Sequence, residues 1–278
     1  MVEIDGGVEI RAFDGAVPYG ILAEGARYAA TNAWYWNFLH RQESERGLDD
    51  RSDLFVPGTF SRHLAAGDAL TLVLSTEATP EMDASRALEC ERARQRGLLS
   101  QGDALRADPV VQQLVLPADQ FIAERDSGKT VIAGYHWFND WGRDTMISLP
   151  GLTLSTGRAE DAAGVLRTFA AYVDRGMLPN NFPDAAGVVP GYNTVDATLW
   201  YVLAIAAYER ATDDLGLVND LLSVLHSIVE RDACLGSVSE ILEGDPPHRP
   251  VGCVAQAWGV AETLRVWRGL AGTGTMRS

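Results

Sequence analysis

A change of hydrophobic period near Thr79-Pro80 constrains this chain most, because it places two kinds of architecture in 278 residues. Before it, short apolar and polar stretches alternate with the two-residue period of strands. Val8-Glu-Ile-Arg-Ala-Phe13 alternates and turns at Asp14-Gly15, and Ala26–Ala29 and Trp34-Tyr-Trp-Asn-Phe38 repeat the pattern. Asp53-Leu-Phe-Val-Pro-Gly58 reads as a turn, and Ala69–Ser75 as a strand after Gly67-Asp68. Residues 1–78 are therefore expected to be all-β and sandwich-like, short enough to be the end of a larger β domain.

Residues 79–108 are rich in Arg, Glu and Ala, with Leu88, Leu98, Leu99 and Leu105 spaced along them. They predict a solvated helical connector, broken near Gly97 and Gly102. From Pro109 the period is helical. Val110–Leu116 runs on through Phe121-Ile-Ala as one helix. Thr145–Thr156 is a second, with Pro150 near its first turns, and Arg158–Arg175 a third, capped by Gly176. Thr194–Thr212, Asp214–Val229 and Val254–Leu270 complete six. Long loops over 176–193 and 232–252 separate them, and loops of that length within a helical domain tend to carry function.

The richest chemistry lies in Ala133–Pro150. His136, Trp137, Phe138 and Trp141 offer flat apolar faces there, and Asp140, Arg143 and Asp144 offer hydrogen bonds of both polarities. A pyranose needs that pairing, because it has an apolar face and a rim of hydroxyls. The competing reading is an aromatic core loop with a satisfied Arg-Asp pair. Farther on, Asn193 fits a helix N-cap, Asp196 then falls in the first turn, and Trp200 follows one turn later. The loop Leu235–His248 carries Glu240, Glu243 and Asp245 ahead of Pro246-Pro247.

Charge and motif content narrow the chemistry. The formal net charge of 23 − 38 = −15 argues against nucleic acid and anionic membrane as partners and leaves a neutral carbohydrate compatible. Cys90, Cys234 and Cys253 lack metal-ligand or redox spacing, which points to a reducing cytoplasm and no metal. No Ser-His-Asp order, phosphate loop or dinucleotide fingerprint occurs. What remains is carboxylates beside aromatics and amides on loops between helices. That constellation suits glycoside hydrolysis by an acid and a base carboxyl.

Gly134-Tyr-His-Trp-Phe-Asn-Asp-Trp-Gly-Arg-Asp-Thr-Met-Ile147, Leu178-Pro-Asn-Asn-Phe182, Tyr192-Asn-Thr-Val-Asp-Ala-Thr-Leu-Trp200 and Ser239-Glu-Ile-Leu-Glu-Gly-Asp-Pro-Pro-His248 together resemble the amylo-α-1,6-glucosidase part of glycogen debranching enzymes. Glu43–Asp49 and Asp53–Gly58 resemble the end of the β domain that precedes it in prokaryotic members. The resemblance implies an (α/α)6 barrel of the six-hairpin glycosidase type. It also implies inverting hydrolysis of α-1,6-linked glucose in glycogen or limit dextrin, with no metal or cofactor. By similarity Asp196 is the general acid and Glu240 the general base. Trp137, Trp141, Arg143 and Asp144 grip the terminal glucose, and Asn181, Asn193, Gln256 and Trp258 add contacts.

The chain departs from that pattern in length. Asp196 and Glu240 stand 44 positions apart, and only 170 residues run from Pro109 to Ser278. Twelve helices with their loops need on the order of 200 residues. The expectation is a mainly α fold, a partial (α/α)6 toroid over 109–278. It would lack its middle helices through an internal deletion close to Arg231 and would follow the 79–108 connector and a short β-sandwich-like remnant over 1–78. A catalytically inactive carbohydrate-binding remnant is the alternative to an active hydrolase.

Overall fold

A computed structural model describes residues 1–101, 108–125, 128–135, 138–174, 176–182, 188–194, 196–221, 241–242 and 250–251. The chain divides into two compact units, Met1–Ala93 and Arg94–Ser278.

The first unit is built from β1 (Val2–Ile4), β2 (Gly7–Ile10), β3 (Tyr19–Leu22), β4 (Arg27–Leu39), the short helix α1 (Arg41–Glu45), β5 (Arg51–Ser61) and β6 (Val73–Ser75). Antiparallel pairing joins β1-β2-β3-β6 into one sheet and β4-β5 into a long ribbon. Val8, Ile10 and Ala23 are the buried apolar side chains of this unit among the described residues, well short of the interlocked inner faces of a sandwich. Asp53–Gly58 lies inside β5 and is not a turn. Pro57 sits where the register steps from Ala30↔Gly58 to Ala33↔Val56, a bulge that tolerates a residue without an N–H. Asn32 (φ 52°) and Asn37 (φ 57°) occupy the two register shifts of β4, and asparagine accepts that left-handed geometry more readily than most residues. On the ribbon Trp34 and Trp36 stack at 5.4 Å with 21° between planes, and they are 50% and 64% exposed.

The boundary between the units falls within α2 (Ala84–Ser100), which runs unbroken through Gly97 because that exposed position needs no side chain to pack. In α3 (Pro109–Gln120), the Asp108 carboxylate accepts from the Val110 N–H at 2.8 Å and Pro109 opens the first turn. The expected continuation through Phe121-Ile-Ala fails. Instead β7 (Ile122–Arg125), β8 (Gly128–Gly134) and β9 (Phe138–Asp140) form an antiparallel sheet, paired Ile122↔Val131 and Ile132↔Asp140. The β-branched run Thr130-Val-Ile132 favours that outcome. The described residues thus combine helices with small antiparallel sheets, so "mainly α" understates the strand content.

Three helices supply most of the core, with Val131, Leu178, Phe182 and Leu217 packed among them. The helices are α4 (Gly142–Leu152), followed by a 3-10 turn at Leu154–Thr156, then α5 (Ala159–Ala170) and α6 (Asp196–Thr212). Pro150 lies in the last turn of α4, not the first, and α5 stops five residues before Arg175. Ala162, Val165, Leu166 and Phe169 are wholly buried, and each large side chain contributes roughly 1.5–3 kcal/mol. Apolar residues cover most of α6, and Tyr201 donates from its hydroxyl to the Leu166 carbonyl at 2.8 Å. Burial pushes that hydroxyl well above the ordinary tyrosine range. Residues 215–221 begin the fifth expected helix, whereas Val254–Leu270 lies outside the described residues. A short pair, β10 (Ile241–Leu242) and β11 (Pro250–Val251), falls within the expected 232–252 loop.

Charged side chains tie the helices to the β8 hairpin. Lys129 binds Asp161, and Arg158 binds both Asp161 (2.5 Å) and Asp119 (2.7 Å). Burial alone would raise the Asp161 pKa, but Lys129 and Arg158 outweigh it and hold the carboxyl below its usual range.

Candidate functional site

Within the Ala133–Pro150 run, Phe138–Asp140 is strand β9, Trp141 is extended and α4 begins at Gly142. Trp141 (φ −117°) links β9 to α4 and makes a bridge to Asn181. Gly142 then donates its N–H to the Asn180 carbonyl at 3.0 Å. Only glycine fits there, since a Cβ at Gly142 would lie 2.1 Å from the Pro179 carbonyl oxygen. Asn180, 4% exposed, also accepts at Oδ1 from the Arg143 N–H at 3.3 Å, so a distant loop caps α4 in place of a local residue. The same loop is held to α6, where Leu178 N–H donates to Thr198 Oγ1 at 2.9 Å. Backbone bonds between Asn180, Asn181 and Gly191 close it.

These anchors bring the first turns of α4 and α6 together. Arg143 donates from Nη2 to Asp196 Oδ1 at 2.8 Å, while its Nε lies 2.7 Å from Oδ2 as an ion pair without hydrogen-bond alignment. The pair is partly open to solvent, with side-chain exposures of 41% and 26%. The hydrogen bond to Asp196 raises the Arg143 pKa first of all; burial opposes it, and the charges of Asp196 and Asp144 add to it. The Trp141 indole N–H is buried and has no hydrogen-bond partner among the described residues.

Asp144 is exposed and does not bind Arg143. It borders a cavity of about 330 Å³ lined also by Phe121, Val131, Ile132, Ile147 and Leu152, which sets one carboxylate against apolar walls. A second cavity, about 260 Å³, opens above the other face of β8 and holds Arg125, Thr130, Asn139 and Asp140. Asp140 is 1% exposed. It accepts from Arg125 Nε (2.6 Å), Arg125 Nη2 (2.9 Å) and Thr130 Oγ1 (2.8 Å), while the Arg125 guanidinium stacks 5.2 Å above Phe182.

Of the residues expected to form the site, Arg143 and Asp196 come together, and Trp141 stands at the N-cap of the helix that carries Arg143. Asn181 is turned toward the sheet, donating from Nδ2 to Asn139 Oδ1 at 3.2 Å. Asn193 is exposed, and α6 begins three residues beyond it, so it is not the N-cap; Asp196 does occupy the first turn. Trp137, Glu240, Gln256 and Trp258 lie outside the described residues. Sequence reasoning missed Asn180, Arg125 and Thr198. Asn180 stands in the motif beside the residue that was chosen, whereas Arg125 lies two residues past the expected helix, in the strand β7 that replaces its end. Among the described residues no three His, Cys, Asp or Glu side chains cluster as metal ligands, and no helix is long and apolar enough to cross a membrane.

Comparison with known proteins gives this geometry a context. The model of the amylo-alpha-1,6-glucosidase family matches residues 116–233 and 230–265, two segments that meet where an internal break was expected. The model of the glycogen debranching enzyme N terminal family matches residues 1–71. The glycogen debranching enzyme of Saccharomyces cerevisiae (strain ATCC 204508 / S288c) is 40% identical over 74 residues, covering 27% of this chain and 5% of that protein. The chain therefore corresponds to a small part of that relative's length. With more than half of its residues matched by one family model, the chain belongs to the glycogen debranching enzymes, in their amylo-alpha-1,6-glucosidase family.

Proposed function

We propose that the chain acts on branched α-glucan, glycogen or limit dextrin, and hydrolyses α-1,6-linked glucose with inversion. Asp196 is the general acid: its proton passes to the glycosidic oxygen as the C1–O bond breaks. Glu240 is the general base and takes the proton from the water that bonds to C1 on the opposite face. Trp141, Arg143 and Asp144 hold the terminal glucose, with Trp137, Asn181, Asn193, Gln256 and Trp258 as further contacts. In this reading α4, α5 and α6 are helices of a partial (α/α)6 toroid, and the protein works in the cytoplasm without metal or cofactor.

One observation carries the proposal. Asp196, in the first turn of α6, meets Arg143, in the first turn of α4, and the pair stays half open to solvent. Glucose release from limit dextrin tests it. Asp196→Asn and Glu240→Gln should each lower the rate by about 10²–10⁴-fold, the usual worth of an acid or base group. Turnover at the parent rate by either variant overturns the assignment.

The second reading, an inactive carbohydrate-binding remnant, is favoured by the Arg143 contacts to both Asp196 oxygens. It gives heat on calorimetric titration with maltooligosaccharide and no glucose release.

A further inference from the structure

The contacts of Arg143 do not suit an acid at work. A carboxylic acid delivers its proton from an O–H, but a guanidinium carries only donors and needs carboxylate oxygens as acceptors. With Arg143 Nη2 on Oδ1 and Nε against Oδ2, both oxygens of Asp196 face a cation. Resting on the reading of Asp196 as the acid, we propose that Arg143 is the positioning residue that withholds Asp196 until a glucosyl unit is seated, and that a vicinal diol of that sugar takes over the guanidinium and frees the carboxyl.

The structure supplies what such an exchange needs. The backbone at Arg143 is fixed, because its N–H and that of Gly142 are both bound to Asn180, so the change is confined to the side chain. The Arg143–Asp196 pair is partly exposed, whereas Arg125–Asp140 has a carboxylate 1% exposed that is held by Thr130 as well. A vicinal diol presents two oxygens at a spacing near that of a carboxylate, so the guanidinium fork meets a substitute of similar shape. Asp144, next in the chain, keeps a negative charge near Arg143 after it leaves Asp196. The released carboxyl then takes up a proton from solvent and passes it to the glycosidic oxygen as the C1–O bond breaks. Water bonds to C1, and its proton goes to Glu240. Recognition of the sugar thereby becomes a condition for acid catalysis.

The test reads the Arg143 Nε–H in nitrogen-15 spectra of the full chain labelled at arginine and tryptophan, with Arg143→Lys used to assign the signal. The probe is D-glucose, which carries the diol and no bond to cleave. In the free protein the signal should sit at a paired position and shift on Asp196→Asn, with Asp196→Ser as a second variant should the first not fold. Glucose should move the parent signal toward the variant position and move a tryptophan indole signal too. An Arg143 signal insensitive to both substitutions overturns the inference. So does an indole shift with Arg143 unmoved, an outcome that leaves the sugar-binding reading standing. No shift of any signal overturns both.

Discussion

Two Arg-Asp pairs in the second unit use the same chemistry to opposite ends. Arg125–Asp140 is buried, with side-chain exposures of 17% and 1%, joined by Thr130 and stacked on Phe182. Arg143–Asp196 is half open, has one well-aligned hydrogen bond, and bridges two helix starts. A buried pair cannot be exchanged cheaply, because separating it strands a charge away from water. An open pair loses little when water or a hydroxyl replaces one partner. The first pair therefore holds the β7–β9 sheet against the loop at Phe182, and the second is available for work on that frame.

Substitutions can break this contrast, beginning with the largest effect. Asp140→Ala should lower unfolding free energy by roughly 3–5 kcal/mol, because it removes a buried carboxylate that accepts from both Arg125 and Thr130. Chemical denaturation measures it, and a loss below about 1 kcal/mol would place the frame elsewhere. Gly142→Ala should cost about 1–3 kcal/mol by pressing a methyl on the Pro179 carbonyl. A thermal melt matching the parent would mean the loop yields freely. The Asp161 carboxyl, held low by Lys129 and Arg158 against its burial, adds a pH-dependent effect. Its stabilisation is present above the unfolded pKa and fades as pH falls through the lower folded value. The stability gap between the parent and Asp161→Asn should thus shrink on acidification, and a gap that grows would reverse the sign. Smallest is Arg143→Ala, expected to change stability by under about 1 kcal/mol while weakening glucose binding. A loss as large as that of Asp140→Ala would erase the difference between the pairs.

Much of the fold was legible where one period persisted. The positions of α4, α5 and α6 follow from repeats long enough to bury a continuous face, and the loss of alternation near Thr79-Pro80 falls between β6 and α2. The β7–β8 hairpin was not legible, because Phe121-Ile-Ala extends the apolar run of Val110–Leu116 in helical register. Only pairing with Thr130-Val-Ile132, a nonlocal event, decides against the helix. For the same reason Asp53–Gly58 read as a turn: Pro57 and Gly58 are turn residues until a bulge gives them a place in a strand. At the site, Asp196 in a first helical turn was visible from local spacing. Its bond to Arg143, 53 positions away, depends on Asn180 and Thr198 fixing the loop between them.

The stacked indoles of Trp34 and Trp36 give the first unit an optical signature of its own. Two indoles 5.4 Å apart couple their excited states, and because their planes are skewed by 21° the ribbon should contribute a paired circular-dichroism band that isolated tryptophans lack. Trp141 and Trp200 lie in the other unit. Melting followed at that band, beside melting followed by backbone ellipticity, would time the unravelling of β4–β5 separately from that of the helices, with no label added.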